Sequence, residues 1–353
     1  MSPFTTLLLQ WWAIHQRQLP WKNTQDPYLI WLSEIMLQQT RVEQALPYYE
    51  RLSAAFPTVK HLADASTDDL MRLWEGLGYY SRARNLHATA KHIAYQLDGH
   101  FPNTYQQILQ LKGVGHYTAA AIASFAYNLP HAVVDGNVFR VLSRVFGIET
   151  PIDSTKGKQQ FTQLANQFLP PNRPADFNQA IMDFGAIQCT PKPNCDTCSL
   201  QNICIAFEQK KTTTLPIKEK KIVKKERFFH YLLITDPQQQ IYINRRTARD
   251  IWQHLYEFPC IETNKLLTNV ELFPHINQLL QTNIAIENTS KPYTQQLTHR
   301  TVHAIFHHIT CRTTPTTPAE WQHIPAADLS QYPFPKIITQ FLADQSQQQQ
   351  ILF

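Results

Sequence analysis

The chain has 353 residues, enough for two domains or three at ~100 to 200 residues each. Hydrophobic residues make up 43% and charged residues only 17%, a balance that excludes a largely disordered chain. A net charge of +5 is compatible with a polyanionic partner. No apolar run approaches the ~20 residues of a membrane span, and the first residues lack a basic stretch followed by an apolar, cleavable one, so a cytosolic location without membrane contact is expected.

From position 4 to about 207, apolar residues recur at three- and four-residue intervals, as in Ile30, Trp31, Ile35 and Met36, or Leu70, Leu73, Trp74 and Leu77. This spacing predicts a bundle of short helices. Asp26-Pro27, Ser66 with Asp69, and Asn103 ahead of Ile108 mark helix starts, while Gly99, Gly147 and Gly185 mark exits or turns. Residues 208–226, rich in lysine and threonine, have the composition of a linker. Beyond it, 228–234, 241–244 and 301–310 are dominated by β-branched and aromatic residues, with Asp236-Pro237 as a turn. Four segments follow: an all-α domain 1–207, a linker 208–226, an α+β domain 227–344 and a glutamine-rich flexible tail 345–353.

Glu34 stands among Leu32, Ile35 and Met36 on an otherwise apolar helix face, where a carboxyl group is costly unless paired or functional. Gln38, Gln39 and Thr40 follow and are suited to base edges. The stretch from Leu77 through Tyr79, Arg82 and Arg84 joins an aromatic wedge to two guanidinium groups, as prising open a base stack requires. Leu111 to Ala120 contains Gly113-Val114-Gly115, a tight turn that leaves amides at the start of the next helix for a DNA phosphate. The same turn alone also serves as a plain helix connector. Asp135, between Val133-Val134 and Gly136-Asn137, has either a catalytic role or that of a helix N-cap. Two carboxyl groups in different environments are the equipment for breaking an N-glycosidic bond, one to protonate the departing base and one to stabilise the cationic sugar.

Cys189, Cys195, Cys198 and Cys204 are four of the six cysteines, and fall in one short loop as C-x5-C-x2-C-x5-C. Soft thiolates so spaced suit tetrahedral zinc or a 4Fe-4S cluster, and a single C-x2-C pair flanked by longer gaps favours the cluster.

The order WLSEIMLQQT, LGYYSRARNL, LKGVGHYTAAAI, VVDGNVFRV and the cysteine loop resembles the adenine DNA glycosylase family of the helix-hairpin-helix DNA glycosylase superfamily. The resemblance is strong to Cys204 and weaker beyond the linker. It implies an all-α helix-hairpin-helix glycosylase domain carrying one 4Fe-4S cluster on the four cysteines. A C-terminal α+β Nudix-like domain would inspect the opposite base. It further implies a monomeric, monofunctional enzyme of the bacterial cytosol acting on double-stranded DNA, at adenine paired with 8-oxoguanine or guanine. Glu34 matches the family's catalytic glutamate and Asp135 its sugar-stabilising aspartate, with Tyr117 and Asn137 as assistants. Tyr79 matches the wedge, and Trp21 and Lys22 the adenine pocket. Tyr117 stands where the related endonuclease III family places its Schiff-base lysine.

The chain departs from the family at three places. Five residues rather than six fill the first cysteine gap, and Leu297-Thr298-His299 replaces the usual Phe-Ser-His that reads oxidised guanine. DIWQHLYEFP only loosely follows the Nudix-like GLW-EFP pattern, and no glutamate-rich Nudix box follows it, which predicts binding without nucleotide hydrolysis. Gln349, Gln350, Ile351, Leu352 and Phe353 are similar to the short peptides with which bacterial repair proteins bind the sliding clamp. Two other classes stay open on the residues alone: an endonuclease III-like glycosylase/lyase, and a zinc-dependent DNA-binding module without activity.

Overall fold

The computed structural model describes residues 1–219, 224–238, 240–311 and 313–351, with side chains as far as 347. The chain forms two compact units, Met1–Asp64 with Asn85–Lys221, and Ala65–Arg84 with Ile222–Phe353. Its helices up to the linker are α1 (Pro3–His15), α2 (Pro27–Leu37), α3 (Val42–Ala55), α4 (Val59–Asp64), α5 (Thr67–Trp74), α6 (Tyr80–Gln96), α7 (Tyr105–Leu109), α8 (His116–Tyr127), α9 (Gly136–Val145), α10 (Thr155–Phe168), α11 (Pro174–Ile187) and α12 (Ile205–Glu208). Helix α5 and the start of α6 belong to the second unit, although they lie within the 1–207 stretch of helical periodicity. Arg245 pairs with Asp68 at 2.9 Å and Arg84 Nη1 donates to the Gln253 carbonyl at 2.8 Å, tying this segment to the α+β part.

The local signals for helix starts act as physical chemistry demands. Asp26 caps α2 by accepting from the Tyr28 amide at 2.8 Å with Pro27 in the first turn, and Ser66 caps α5 through the Asp69 amide at 3.0 Å. Helix α7 is capped by Thr104 rather than Asn103, its hydroxyl accepting from the Gln107 amide at 3.3 Å. Gly99 and Gly147 take positive φ just beyond helix ends, as expected. Gly185 does not: it lies inside α11, where the helix crosses α9, and a Cβ there would sit 2.7 Å from the Asn137 Cβ. Its lack of a side chain serves close helix approach, which sequence alone does not distinguish from a helix exit. The core of this unit gathers around Phe4, whose ring meets Phe146, Phe168 and Phe177 edge-on.

The second unit is built on one sheet of eight strands among the described residues: β1 (Lys225–Thr235), β2 (Gln240–Arg245), β3 (Tyr256–Glu257), β4 (Cys260–Thr263), β5 (Ile284–Thr289), β6 (Tyr293–Gln296), β7 (Arg300–Cys311) and β8 (Trp321–Pro325). The long strands β1 and β7 run parallel, from Lys225 opposite Arg300 to Thr235 opposite Thr310. The three predicted strands are therefore present, each slightly longer than its apolar run. Side chains alternate across β1. Leu232 and Ile234 pack with Leu272, Ile276 and Leu280 of α13 (Asn269–Leu280), and Tyr231 stacks on Phe306, which stacks in turn on Phe341 of α14 (Lys336–Ile351) at 3.9 Å. The stretch from 345, expected as a flexible tail, continues α14 to Ile351, in keeping with the fair helix propensity of glutamine. Within the proposed clamp peptide, the side chains of Gln349, Gln350 and Ile351 and all of Leu352 and Phe353 lie outside the described residues. Among the described residues no helix is long and apolar enough to cross a membrane.

Candidate active site

Three elements of the first unit bring the predicted acids together. Helix α2 carries Glu34, only 3% exposed, on its apolar face. Helix α8 starts just beyond the Gly113–Gly115 turn and presents Tyr117 one residue into the helix. Asp135 is the N-cap of α9. The Tyr117 hydroxyl donates to the Glu34 carboxyl, and Asp135 is near enough for its charge to be felt there. Burial pushes the Glu34 carboxyl up to about 7; the Tyr117 hydrogen bond pulls it down and the Asp135 charge pushes it further up. Such a group gives and takes a proton near neutrality. Glu34 Oε2 has no hydrogen-bond partner among the described residues, so a buried acceptor is left for something else to meet.

Asp135 is held differently. Its Oδ1 accepts from the backbone amides of Asn137 at 2.9 Å and Val138 at 2.8 Å, and its Oδ2 from the Asn137 side-chain amide at 2.9 Å. The N-cap alternative and a chemical one are therefore compatible: one oxygen caps the helix, and the other is steered by Asn137. Burial raises the carboxyl above its usual range against the pull of these bonds.

Asn137 is itself fixed by Arg140, a residue that the sequence pattern did not single out. Arg140 Nη2 donates to Asn137 Oδ1 at 2.7 Å and to the Gly185 carbonyl at 2.6 Å, while Nε donates to the Cys189 carbonyl at 2.7 Å. Its position one helical turn after Asn137 was the available signal. Because an added Cβ at Gly185 would meet the Asn137 Cβ and main chain at 2.7 to 3.0 Å, with no flexible side chain to yield, Gly185→Ala is expected to displace Asn137. Stability should fall by about 1–3 kcal/mol, checked by a melting curve, and the Asn137 amide should lose its hold on Asp135 Oδ2.

Trp21 and Lys22 occupy a short 3-10 turn, Pro20–Lys22, with Trp21 buried edge-on against Tyr49. Lys22 Nζ lies 2.5 Å from Asp183, a fully buried carboxylate that also accepts from Arg17 Nε at 2.7 Å and Trp12 Nε1 at 3.0 Å. Burial would raise Asp183, but the Lys22 and Arg17 charges outweigh it and keep the carboxyl below its usual range. Asp183 was also missed, since a lone aspartate on an apolar helix carries no partner in its local sequence. At the end of α2, Gln38 Nε2 donates to Thr118 Oγ1 at 3.2 Å and Gln39 takes a φ of 58°, so 38–40 lies beside the start of α8. Gly113 takes a φ of 82° with Asn85 packed where its Cβ would be, whereas Gly115 begins α8 with no side-chain cap and open space around it.

In the second unit, Tyr79 is 40% exposed with a φ of 50°, and its hydroxyl is hydrogen-bonded to that of Thr298 in the β6–β7 turn. Arg82 is buried, lying over Trp74 and Tyr79 and donating to the Leu77 and Gly78 carbonyls. Its guanidinium therefore packs inside the 77–80 loop instead of standing on the surface beside Tyr79. Leu297 and His299 complete the turn, the Lys225 amide donating to the His299 carbonyl at 3.0 Å.

The four loop cysteines form no disulfide. Burial raises the Cys195, Cys198 and Cys204 thiols, Cys198 to about 11, and the charge of the neighbouring thiols adds to each, so all four share one locality. The buried Arg144 donates to Cys189 Sγ at 3.4 Å and to the Thr190 and Pro191 carbonyls at 2.7 and 3.1 Å. Among the described residues no three His, Cys, Asp or Glu side chains converge tightly enough to hold a single metal ion.

Residues 32–171 match the HhH-GPD superfamily of base excision DNA repair proteins, and residues 230–344 match the NUDIX domain. Adenine DNA glycosylase of Buchnera aphidicola subsp. Schizaphis graminum is 38% identical over 264 residues, covering 74% of this chain and 75% of the relative. The human adenine DNA glycosylase is 44% identical over 219 residues, 59% of this chain and 40% of that protein. The solved structure of a thermostable thymine-DNA glycosylase superposes with a TM-score of 0.55 at 30% identity, covering 58% of this chain and 95% of that one. The chain belongs to the adenine DNA glycosylase family. It is a base excision repair enzyme, a DNA N-glycosylase acting on adenine in DNA.

Proposed function

We propose that the excised adenine is the one mispaired with 8-oxoguanine or guanine, and that Glu34 and Asp135 carry the hydrolysis. The observation that supports this most is the buried Glu34 carboxyl, pushed up to about 7 beside Tyr117 and Asp135. Glu34, protonated, gives its proton to N7 of the extruded adenine. The C1′–N9 bond breaks with its electron pair leaving on the base, and the sugar is left cationic. Asp135, ionised and oriented by Asn137, faces that positive charge. Glu34, now a carboxylate, takes a proton from the water that attacks C1′, which returns the site to its starting state.

Tyr117 offers no amine for a Schiff base, so the reaction ends at the abasic site and the enzyme is monofunctional. A duplex with adenine opposite 8-oxoguanine should yield an alkali-labile site on the adenine strand and no protein–DNA adduct on borohydride treatment. A trapped adduct would assign the chain to glycosylase/lyases. Tyr79 wedges the stack, and Leu297, Thr298 and His299 read the oxidised guanine, Thr298 and His299 keeping the polar groups the family uses.

Cys189, Cys195, Cys198 and Cys204 hold one 4Fe-4S cluster. Their gathering in one loop without a disulfide and the Arg144 bond to the Cys189 sulfur support it. Cys189, just beyond α11, and Cys195, Cys198 and Cys204 after it would hold the group, which would keep their thiolates deprotonated at neutral pH. The purified protein should be brown, with absorbance near ~410 nm that Cys198→Ser abolishes; a colourless protein holding one zinc would overturn the assignment.

A further inference from the structure

In the second unit three guanidinium groups converge on one carboxylate. Asp250 Oδ1 accepts from Arg300 Nη1 at 2.6 Å, and Oδ2 accepts from Arg227 Nη1 at 2.6 Å and Arg246 Nη2 at 3.2 Å. Two of these arginines have other carboxylates: Arg227 is bidentate to Glu262 at 2.5 and 2.6 Å, and Arg246 reaches Glu257 at 2.6 Å. Both are largely buried. Arg300, at the start of β7, is paired with Asp250 alone among the described carboxylates.

Asp250 sits on a loop that is itself tightly fixed. The Asp250 amide donates to the Ala248 carbonyl at 2.8 Å, Arg246 Nε to the Ile251 carbonyl at 3.0 Å, and the His254 amide to the Arg246 carbonyl at 2.7 Å. Trp252 and His254 hold φ values of 59° and 70°, conformations that a side chain adopts only where its surroundings impose them. Burial raises the Asp250 carboxyl, but the Arg227 and Arg300 hydrogen bonds outweigh it and hold it at about 2, so the carboxylate is ionised throughout the working range.

Arg300 is also the residue that closes the β6–β7 turn, its carbonyl accepting from the Leu297 amide at 2.8 Å. Leu297, Thr298 and His299 are therefore presented by a turn with one end fastened through Arg300 to Asp250 and its tip bonded through Thr298 to Tyr79. We propose that Asp250 is a positioning residue for reading the base opposite adenine, holding the 297–299 turn preformed through Arg300; this rests on the assignment of that turn to oxidised guanine. A turn held before binding loses less conformational freedom when DNA arrives. Releasing it weakens recognition and leaves the chemistry at Glu34 and Asp135 untouched.

The test uses the full-length protein with Asp250→Ala, Arg300→Ala, Thr298→Ala and the double variant Asp250→Ala/Thr298→Ala. Affinity for duplexes carrying a non-cleavable adenine analogue, and single-turnover excision, are measured opposite 8-oxoguanine and opposite guanine. Asp250→Ala should weaken binding opposite 8-oxoguanine about tenfold, with binding and excision opposite guanine within about twofold of native. Arg300→Ala should reproduce this while leaving Asp250 its two other arginines, so it decides the matter if Asp250→Ala folds poorly. The double variant should lose no more than the larger single loss. Equal losses on both duplexes, unchanged preference in both single variants, or fully additive losses would overturn the role of Asp250. Should the native chain itself show no preference for 8-oxoguanine, the assignment of the turn falls first and the role of Asp250 with it.

Discussion

Glu34→Gln is expected to abolish adenine excision and at the same time make the protein harder to unfold at neutral and alkaline pH. The rate should fall by about 10²–10⁴-fold, the usual contribution of a positioned acid and base. The stability gain follows from linkage. The Glu34 carboxyl has an ordinary value of 4.5 and is pushed up to about 7 in the fold. Between those limits the folded state binds more protons than the unfolded one, so stability falls as pH rises from 4.5 through 7 and levels off above. The penalty at pH 8 is roughly 3 kcal/mol, because each tenfold change in the ionisation equilibrium is worth about 1.4 kcal/mol. Glutamine removes it. Melting curves should place the variant several degrees above native at pH 8 and level with it near pH 4.5. In the native enzyme, the same protonation makes single-turnover excision decline as pH rises through about 7. Retained excision in the variant, or a melting difference that ignores pH, would remove Glu34 from this role.

Asp135→Asn separates the two duties of Asp135. An asparagine oxygen caps a helix about as well as a carboxylate oxygen, so the amides of Asn137 and Val138 keep their acceptor and stability should change by less than about 0.5 kcal/mol. The negative charge is lost, and excision should fall by about 10²–10³-fold. With its one oxygen kept on those backbone amides, the new side chain turns its own amide toward that of Asn137, which loses its acceptor and adds to the loss of activity. A variant that melts early and loses activity only in proportion would mean that Asp135 serves the helix and nothing more. A variant that melts like native yet is inactive assigns the charge to the reaction.

Much of the site was legible in the sequence, residue by residue. Glu34 was conspicuous because a carboxyl group among Leu32, Ile35 and Met36 violates the helix's apolar periodicity, and burial proves to be the largest cause of its raised pKa. The four cysteines announced themselves by spacing, and Tyr117 by standing where a lysine would change the reaction. The helical character of the first part and the long strands of the second were readable from period alone, since local periodicity reports which face of an element is buried. That same signal cannot say what the buried face meets. Arg140 linking Asn137 to the cysteine loop, Asp183 gathering Arg17 and Lys22, and Gly185 letting α11 approach α9 each join residues far apart in the chain. Arg82, read with Tyr79 as part of a base-stack wedge, is buried over Trp74; Ala65–Arg84 had the period of the helical unit and packs with the sheet. The chemical equipment, two acids, a glycine hairpin and a thiol loop, was thus determined by residue type and spacing. How far burial raises Glu34, which cation is turned inward and which carboxylate gathers three arginines were decided only by tertiary packing, because desolvation and hydrogen-bond partners are set by neighbours in space and not by neighbours in sequence.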